Sequence, residues 1–167
     1  GCNAVRCWGG NVYESDSFFD FCDRHGIMVW QDFAMGCGIY PQTEEFMNKL
    51  KEEAVYQIKR LRNHSSLILW AGDNECDMFT RHRKNPNHNI LTRGLLKKLI
   101  EIYDGTRPYL PSSPYYSEKA FESGFPLPED HLWGPRDYFK GDFYKNAKNR
   151  FASETGYQGF PSSKSLE

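Results

Sequence analysis

The sequence predicts an α/β fold built on parallel strands, and three observations carry that reading. Strand-like and helix-like patterns alternate along the chain. Two strand patterns, Ile27 to Phe33 and Leu67 to Ala71, are apolar at nearly every position, as in strands covered on both faces. Between them, Phe46, Leu50, Ala54, Ile58 and Leu61 keep helical spacing through Glu44 to Arg62, with charges in the gaps. Helices between parallel strands are the usual right-handed crossovers. The alternation by itself suits a closed barrel and an open sheet equally.

In chain order, Asn3 to Trp8 reads as a short strand ending at the Gly9-Gly10 turn. Ser15 or Asp16 caps a helix with Phe18, Phe19 and Cys22 on one face, and Gly26 stops it. The strand Ile27 to Phe33 follows. Thr43 is placed to cap the long helix, although Phe46 three residues on gives no capping box. After Leu67 to Ala71, Asn89 to Tyr103 reads as a helix with Leu95, Leu96, Leu99 and Ile102 inward and Gly105 as its stop. Tyr109-Leu110 opens a short strand that meets Pro111. From Ser112 to Lys148 periodicity fades, which suggests long functional loops around one strand near His131 to Trp133. Arg150 to Ser153 is the last strand, with Glu154 at its end. Residues 162–167 read as a loose polar tail behind one domain, 1–161.

Composition narrows the function classes. A net charge of -1 offers no general attraction to nucleic acid or anionic lipid. No run of ~18 apolar residues is present to span a bilayer. Neither nucleic acid nor membrane is therefore an expected partner. The basic residues Arg81, Arg83, Lys84, Arg93, Lys97 and Lys98 read as a solvated face. The five cysteines are scattered without a CxxC pair, so reduced, mostly buried thiols are expected. His82 and His88 lack carboxylate or cysteine company, and no metal or cofactor is expected. The opening Gly1-Cys2-Asn3 has neither an initiator Met nor a signal peptide, which suggests an origin within a longer product and leaves cytoplasm and periplasm both open.

Two segments carry the chemistry. Leu69-Trp70-Ala71-Gly72-Asp73-Asn74-Glu75 runs from an apolar strand into three polar residues, and Arg150-Phe151-Ala152-Ser153-Glu154-Thr155-Gly156 again ends a strand in a carboxylate. Parallel α/β folds place active sites at strand C-termini. Asn74 and Glu75 also suit a plain helix start. Taken together, two such carboxylates match what a retaining glycosidase needs: a proton donor and a nucleophile about 5–5.5 Å apart.

Five blocks, in order, resemble a known family: Asn3-Ala4-Val5-Arg6-Cys7-Trp8-Gly9-Gly10, Cys22 to Phe33, Arg62 to Leu67, Trp70 to Glu75, and Phe151 to Ser162. They are similar to successive blocks of glycoside hydrolase family 2, nearest to its β-mannosidases. The resemblance implies a (β/α)8 TIM barrel and a retaining exo-β-glycosidase. Glu75 matches the acid/base, which must hold its proton beside an ionised partner. Asn74 matches the residue that bonds the sugar 2-hydroxyl, and Glu154 matches the nucleophile. Arg6 is placed to hold Glu154 ionised, or to form a structural ion pair. Asp32 ends a strand and either supports Arg6 or is a buried structural aspartate. Trp8 matches a tryptophan lining the sugar pocket, with barrel core as the other reading. Trp133 and Tyr138 either flank the sugar, touch Glu154, or pack as loop aromatics. His64 is expected to fix the backbone before its strand.

A complete barrel takes ~250 residues. The chain matches approximately strands two to seven, so a truncated barrel with exposed apolar edges is expected, marginally stable, self-associated or rearranged at its ends. The remaining domains of a parent protein are the expected partners, and little activity is expected from the chain alone. The expected substrate is a carbohydrate, a β-mannoside or related oligosaccharide. Exo-β-glucosaminidase and β-galactosidase activity, or a non-catalytic sugar-binding role, are the alternatives. Asp73 stands where many β-mannosidases carry Asn, which places a second negative charge next to Glu75 in sequence.

Overall fold

The computed structural model describes residues 1–80, 88–123, 127, 129–134, 141–156 and 164. The predicted alternation is realised in two all-parallel sheets. Strands β1 (Ala4–Cys7), β2 (Met28–Asp32), β3 (Leu67–Ala71) and β4 (Tyr109–Leu110) lie side by side in sequence order. Strands β5 (Glu129–Leu132) and β6 (Phe151–Thr155) form a separate parallel pair. Helix α1 (Asp16–His25) connects β1 to β2, and α2 (Glu44–Leu61) connects β2 to β3. Among the described residues no ladder joins β4 to β5 or β6 to β1, so these strands form a partial sheet rather than a closed barrel.

Helix α2 shows why the long crossovers form where the pattern placed them. Thr43 caps it, its hydroxyl accepting from the Phe46 backbone N–H at 3.3 Å. Leu50, Ala54, Ile58 and Leu61 are buried from it onto the sheet. Helix α1 ends at Gly26, whose φ of 66° is the left-handed turn glycine adopts without strain. The core continues through Phe19, Val29, Phe33, Trp70 and Leu96, with the Phe33 and Trp70 rings stacked at 5.3 Å.

The segment after β3 departs from the expected regular helix. Helix α3 (Cys76–Thr80) follows the β3 loop, and Leu91–Leu96 is a π-helical stretch that runs into α4 (Lys97–Tyr103). Leu96 and Leu99 are buried as expected, but Ile100 is buried in place of Ile102, which is 68% exposed. Arg93 also leaves the expected solvated face: its guanidinium grips the buried Asp77 at 2.7 and 2.5 Å. Two short helices, α5 (Glu118–Ser123) and α6 (Asp142–Lys145), occupy the aperiodic region. Strand β5 begins two residues before His131, and Glu154 lies within β6 rather than after it.

His64 fixes the backbone below β3 as expected. Its Nδ1 lies 2.7 Å from Asp23, which also accepts the Ser66 N–H at 2.7 Å. Cys7, Cys22 and Cys76 are buried, Cys2 and Cys37 are exposed, and all five are free thiols. No described helix is long and apolar enough to cross a membrane. Arg81, His82, Arg83, Lys84, Tyr138 and most of 162–167 lie outside the described residues.

The α2 face yields a stability prediction. Ile58 is wholly buried, so Ile58→Ala is expected to destabilise the fold by about 2–5 kcal/mol through lost burial and a residual cavity. Urea denaturation of the two proteins checks it.

Candidate active site

Arg6 projects from β1 and meets three other parts of the fold. Its Nη2 donates to Asp32 Oδ2 at 2.8 Å and to Asn74 Oδ1 at 3.0 Å, and its Nη1 donates to Glu154 Oε1 at 3.0 Å. Parallel register sets Arg6 opposite Trp30. The guanidinium carbon sits 5.1 Å from the centre of the Trp30 ring. Strand alternation then puts Trp30 and Asp32 on one face of β2, and the Trp30 indole donates to Asp32 Oδ1 at 2.7 Å. Asp32 also accepts the Gly9 N–H at 3.0 Å. Burial pushes the Asp32 carboxyl above its ordinary range, while Arg6, Trp30 and Gly9 pull it back toward the ionised form. Asp32 is thus both a buried aspartate and the support of Arg6.

The loop after β3 holds Asn74 and Glu75 in an enforced geometry. Gly72 has no room for a side chain, because a Cβ there would lie 2.3 Å from the Pro111 carbonyl oxygen. Asn74 N–H donates to Met35 O at 2.9 Å, and its carbonyl accepts from Cys37 N–H at 2.8 Å. Glu75 has a φ of 62°, a left-handed conformation costly for a residue with a side chain. Its N–H donates to Ser113 O at 2.7 Å, so the neighbouring loop holds the strained turn in place.

Glu75 and Glu154 converge on His131 of β5. His131 Nδ1 lies 2.8 Å from Glu75 Oε1 and 3.4 Å from Glu154 Oε2. One oxygen of each carboxylate and the imidazole nitrogen all fall within 4.8 Å of one another. Such spacing also suits a small divalent cation, but the Arg6 guanidinium against Glu154 and His131 opposes that use. Trp133 donates its indole N–H to Glu154 Oε2 at 3.1 Å, and its ring packs over Gly156, where a Cβ would overlap it. Cys37 donates to the other oxygen of Glu75 at 3.4 Å. Partial burial, then the Glu75 carboxylate, pushes the Cys37 thiol up, which keeps it a donor.

Arg6, Asn74, Glu75, Trp133 and Glu154 are thereby gathered at one place. Trp8 stands just past β1, half exposed, with its ring over Gly10 and no polar contact to the carboxylates among the described residues. Trp30, Cys37 and His131 were not singled out from sequence. For His131 the clue was available: it stands two residues before Trp133 in the segment where the sequence already places a strand.

Asp73 does not join Glu75. It is fully buried and accepts from Cys76 N–H at 3.1 Å, Ser112 Oγ at 2.5 Å and Asn89 Nδ2 at 3.0 Å. Among the described residues the two side chains share no partner, so this neighbour in sequence props the loop from beneath.

Against known proteins, no family model matches the chain. It is 36% identical to the β-mannosidase of Bos taurus and 33% identical to β-mannosidase B of Aspergillus clavatus, over 99% and 94% of the chain respectively. It superposes on the β-D-mannosidase of Dictyoglomus thermophilum with a TM-score of 0.85, at 37% identity over 99% of the chain. In sequence and in fold the chain resembles β-mannosidases. This β-mannosidase-like chain spans 21% of the length of each of these relatives. The fold alone extends to an exo-chitosanase of Amycolatopsis orientalis, at a TM-score of 0.65 and 21% identity.

Asp73 gives a pH prediction. Burial pushes its carboxyl from 3.8 up to about 7. Between those values the native state holds a proton that the unfolded state has released, so this group's contribution to stability falls as pH rises from 3.8 to about 7. Asp73→Asn should remove that slope. Urea midpoints of both proteins measured across this range check it, and parallel curves would contradict it.

Proposed function

We propose that this chain carries the catalytic carboxylates of a retaining exo-β-glycosidase acting on β-mannosides. In this reading β1 to β6 correspond to strands two to seven of a (β/α)8 barrel. The observation that carries the proposal is the approach of Glu75, in the loop after β3, and Glu154, on β6, to within 4.8 Å, nearest oxygen to nearest oxygen. That closeness favours direct attack over an inverting mechanism, which needs room for a water between carboxyl groups ~6.5–9.5 Å apart.

The roles follow from the contacts. Glu154 accepts from Arg6 on one oxygen and Trp133 on the other, which aims it for attack on the anomeric carbon. Glu75, unpaired with any arginine or lysine among the described residues, gives its proton to the leaving oxygen. In the second step Glu75 takes a proton from the water that releases the sugar from Glu154. Asn74 is almost fully buried, with Oδ1 on Arg6 and Nδ2 on Cys37 Sγ at 3.3 Å. A sugar 2-hydroxyl would reach its amide by displacing the weak thiol contact. Trp8 lines the sugar pocket in this reading.

The β-mannoside preference rests on the relatives named above. Met28, Ile68 and Phe151 are exposed and line one cleft between the two sheets, and we infer that further domains of a parent protein, or a second copy, cover them. The chain alone is expected to be inactive on an aryl β-mannoside.

In the parent protein, Glu154→Ala is expected to lower turnover of an aryl β-mannoside by about 1.36 kcal/mol per tenfold over several tenfolds. Added azide should restore turnover and give the α-mannosyl azide. Near-normal activity without azide would overturn the assignment of the nucleophile.

A further inference from the structure

Beneath the two carboxylates, a chain of polar groups leads away from Glu75 to a third acid, Glu129, whose side chain is only 13% exposed. Glu75 Oε1 meets His131 Nδ1 at 2.8 Å, His131 Nε2 meets Ser113 Oγ at 3.0 Å, and Ser113 Oγ meets Glu129 Oε1 at 2.6 Å. The Ser153 hydroxyl also donates to that same oxygen of Glu129. The other oxygen, Oε2, is buried and has no hydrogen-bond partner among the described residues. We propose that Glu129 is a positioning residue for Glu75, acting through Ser113 and His131 to fix which nitrogen of His131 carries a proton. The inference rests on the reading of Glu75 as acid/base.

Hydrogen counting carries the argument. A serine hydroxyl has one hydrogen, and a carboxylate can only accept. Ser113 therefore gives its hydrogen to Glu129, and its oxygen accepts from His131, which requires a hydrogen on Nε2. The competing contact is Arg6 Nη1, 3.3 Å from Nε2. Arg6 has only donors, so it would need Nε2 bare. That contact is longer than either link of the serine chain, and Nη1 already has Glu154 at 3.0 Å. The other groups facing this pair are Glu154 from β6 and Cys37 on the second oxygen of Glu75, with Asp32 behind Arg6. Asp130 accepts the backbone N–H of His131.

With Nε2 protonated, His131 Nδ1 and Glu75 share one proton between them. Either the acid form of Glu75 donates to a bare Nδ1, or Nδ1–H donates to the carboxylate. In both arrangements the pair holds two protons, and the imidazolium form can return its Nδ1 proton to Glu75 because Nε2 keeps the other. Without Glu129, the Ser113 hydrogen turns to Nε2, the neutral imidazole keeps its one proton on Nδ1, and the second proton of the pair passes to solvent. Glu75 then accepts that hydrogen bond as a carboxylate, and a neutral imidazole cannot give up its only N–H to reload it.

The test has a spectroscopic arm and a kinetic arm. In histidine-labelled chain at neutral pH, 15N NMR should find His131 Nε2 protonated, with the resonance assigned by its loss in His131→Asn. In Glu129→Leu and in Ser113→Ala the proton should move to Nδ1. A bare Nε2 in the unmodified chain, or the same tautomer in both variants, would overturn the proposal. In the parent protein, both variants should lose about tenfold or more in kcat/KM with a β-mannoside whose leaving group needs a proton. Their basic limb should move to lower pH. A dinitrophenyl β-mannoside, whose leaving group needs no proton, should lose less than about twofold. Equal losses on both substrates would mark a merely structural role and overturn the proposal. If the unmodified parent cleaves neither substrate, the glycosidase reading fails, while the NMR arm still decides the proton's position.

Discussion

One guanidinium ties the site together. Arg6, with its side chain only 13% exposed, donates to Asp32 on β2, Asn74 after β3 and Glu154 on β6. Each of those acceptors is charged or amide, and each sits on a different element. Removing one partner from such a buried pair typically costs about 3–5 kcal/mol, because the other charge is left uncompensated. Asp32 illustrates the balance: burial pushes its carboxyl toward the neutral form, and Arg6 foremost among its partners opposes this. The arginine therefore sets the spacing between the strand carrying Glu154 and the loop carrying Glu75. Two sheets that share no ladder meet through it.

The rest of the site follows from that fixed point. Glu75 adopts a positive φ, and the Ser113 carbonyl holds its backbone there. Ser113 meets His131 as well, so the loop that supports the strained turn also orients the imidazole between the carboxylates. Beneath this lies a second ionic layer, with Arg93 on Asp77 and Asp73 among Ser112, Asn89 and the Cys76 N–H. It anchors the same segment from the core side without touching Glu75.

Much of this was legible in the sequence because burial leaves a periodic trace. The stripe on α2 and the apolar run of β3 give their positions directly, and the carboxylates at strand ends point to the site. The less legible features depend on contacts distant in sequence. Ile102 faces outward because the buried stripe runs through Leu96, Leu99 and Ile100, a helical spacing as regular as the one that ends at Ile102, and the pattern alone does not choose between them. Arg93 was misplaced because its partner Asp77 lies on a different helix. The side-chain direction of Asp73 depends on Asn89 and Ser112, which sequence adjacency to Glu75 conceals. Trp30 entered through the parallel register of β1 and β2, which no local pattern specifies.

The most direct test of the paired-carboxylate account is covalent trapping. A 2-deoxy-2-fluoro-β-mannosyl fluoride would be incubated with the parent protein, followed by digestion and peptide mass spectrometry. The account predicts a single fluorosugar ester on Glu154, absent when Glu154 is replaced. A label on Glu75 or on another residue, or hydrolysis of β-mannosides with inversion and no label, would contradict it.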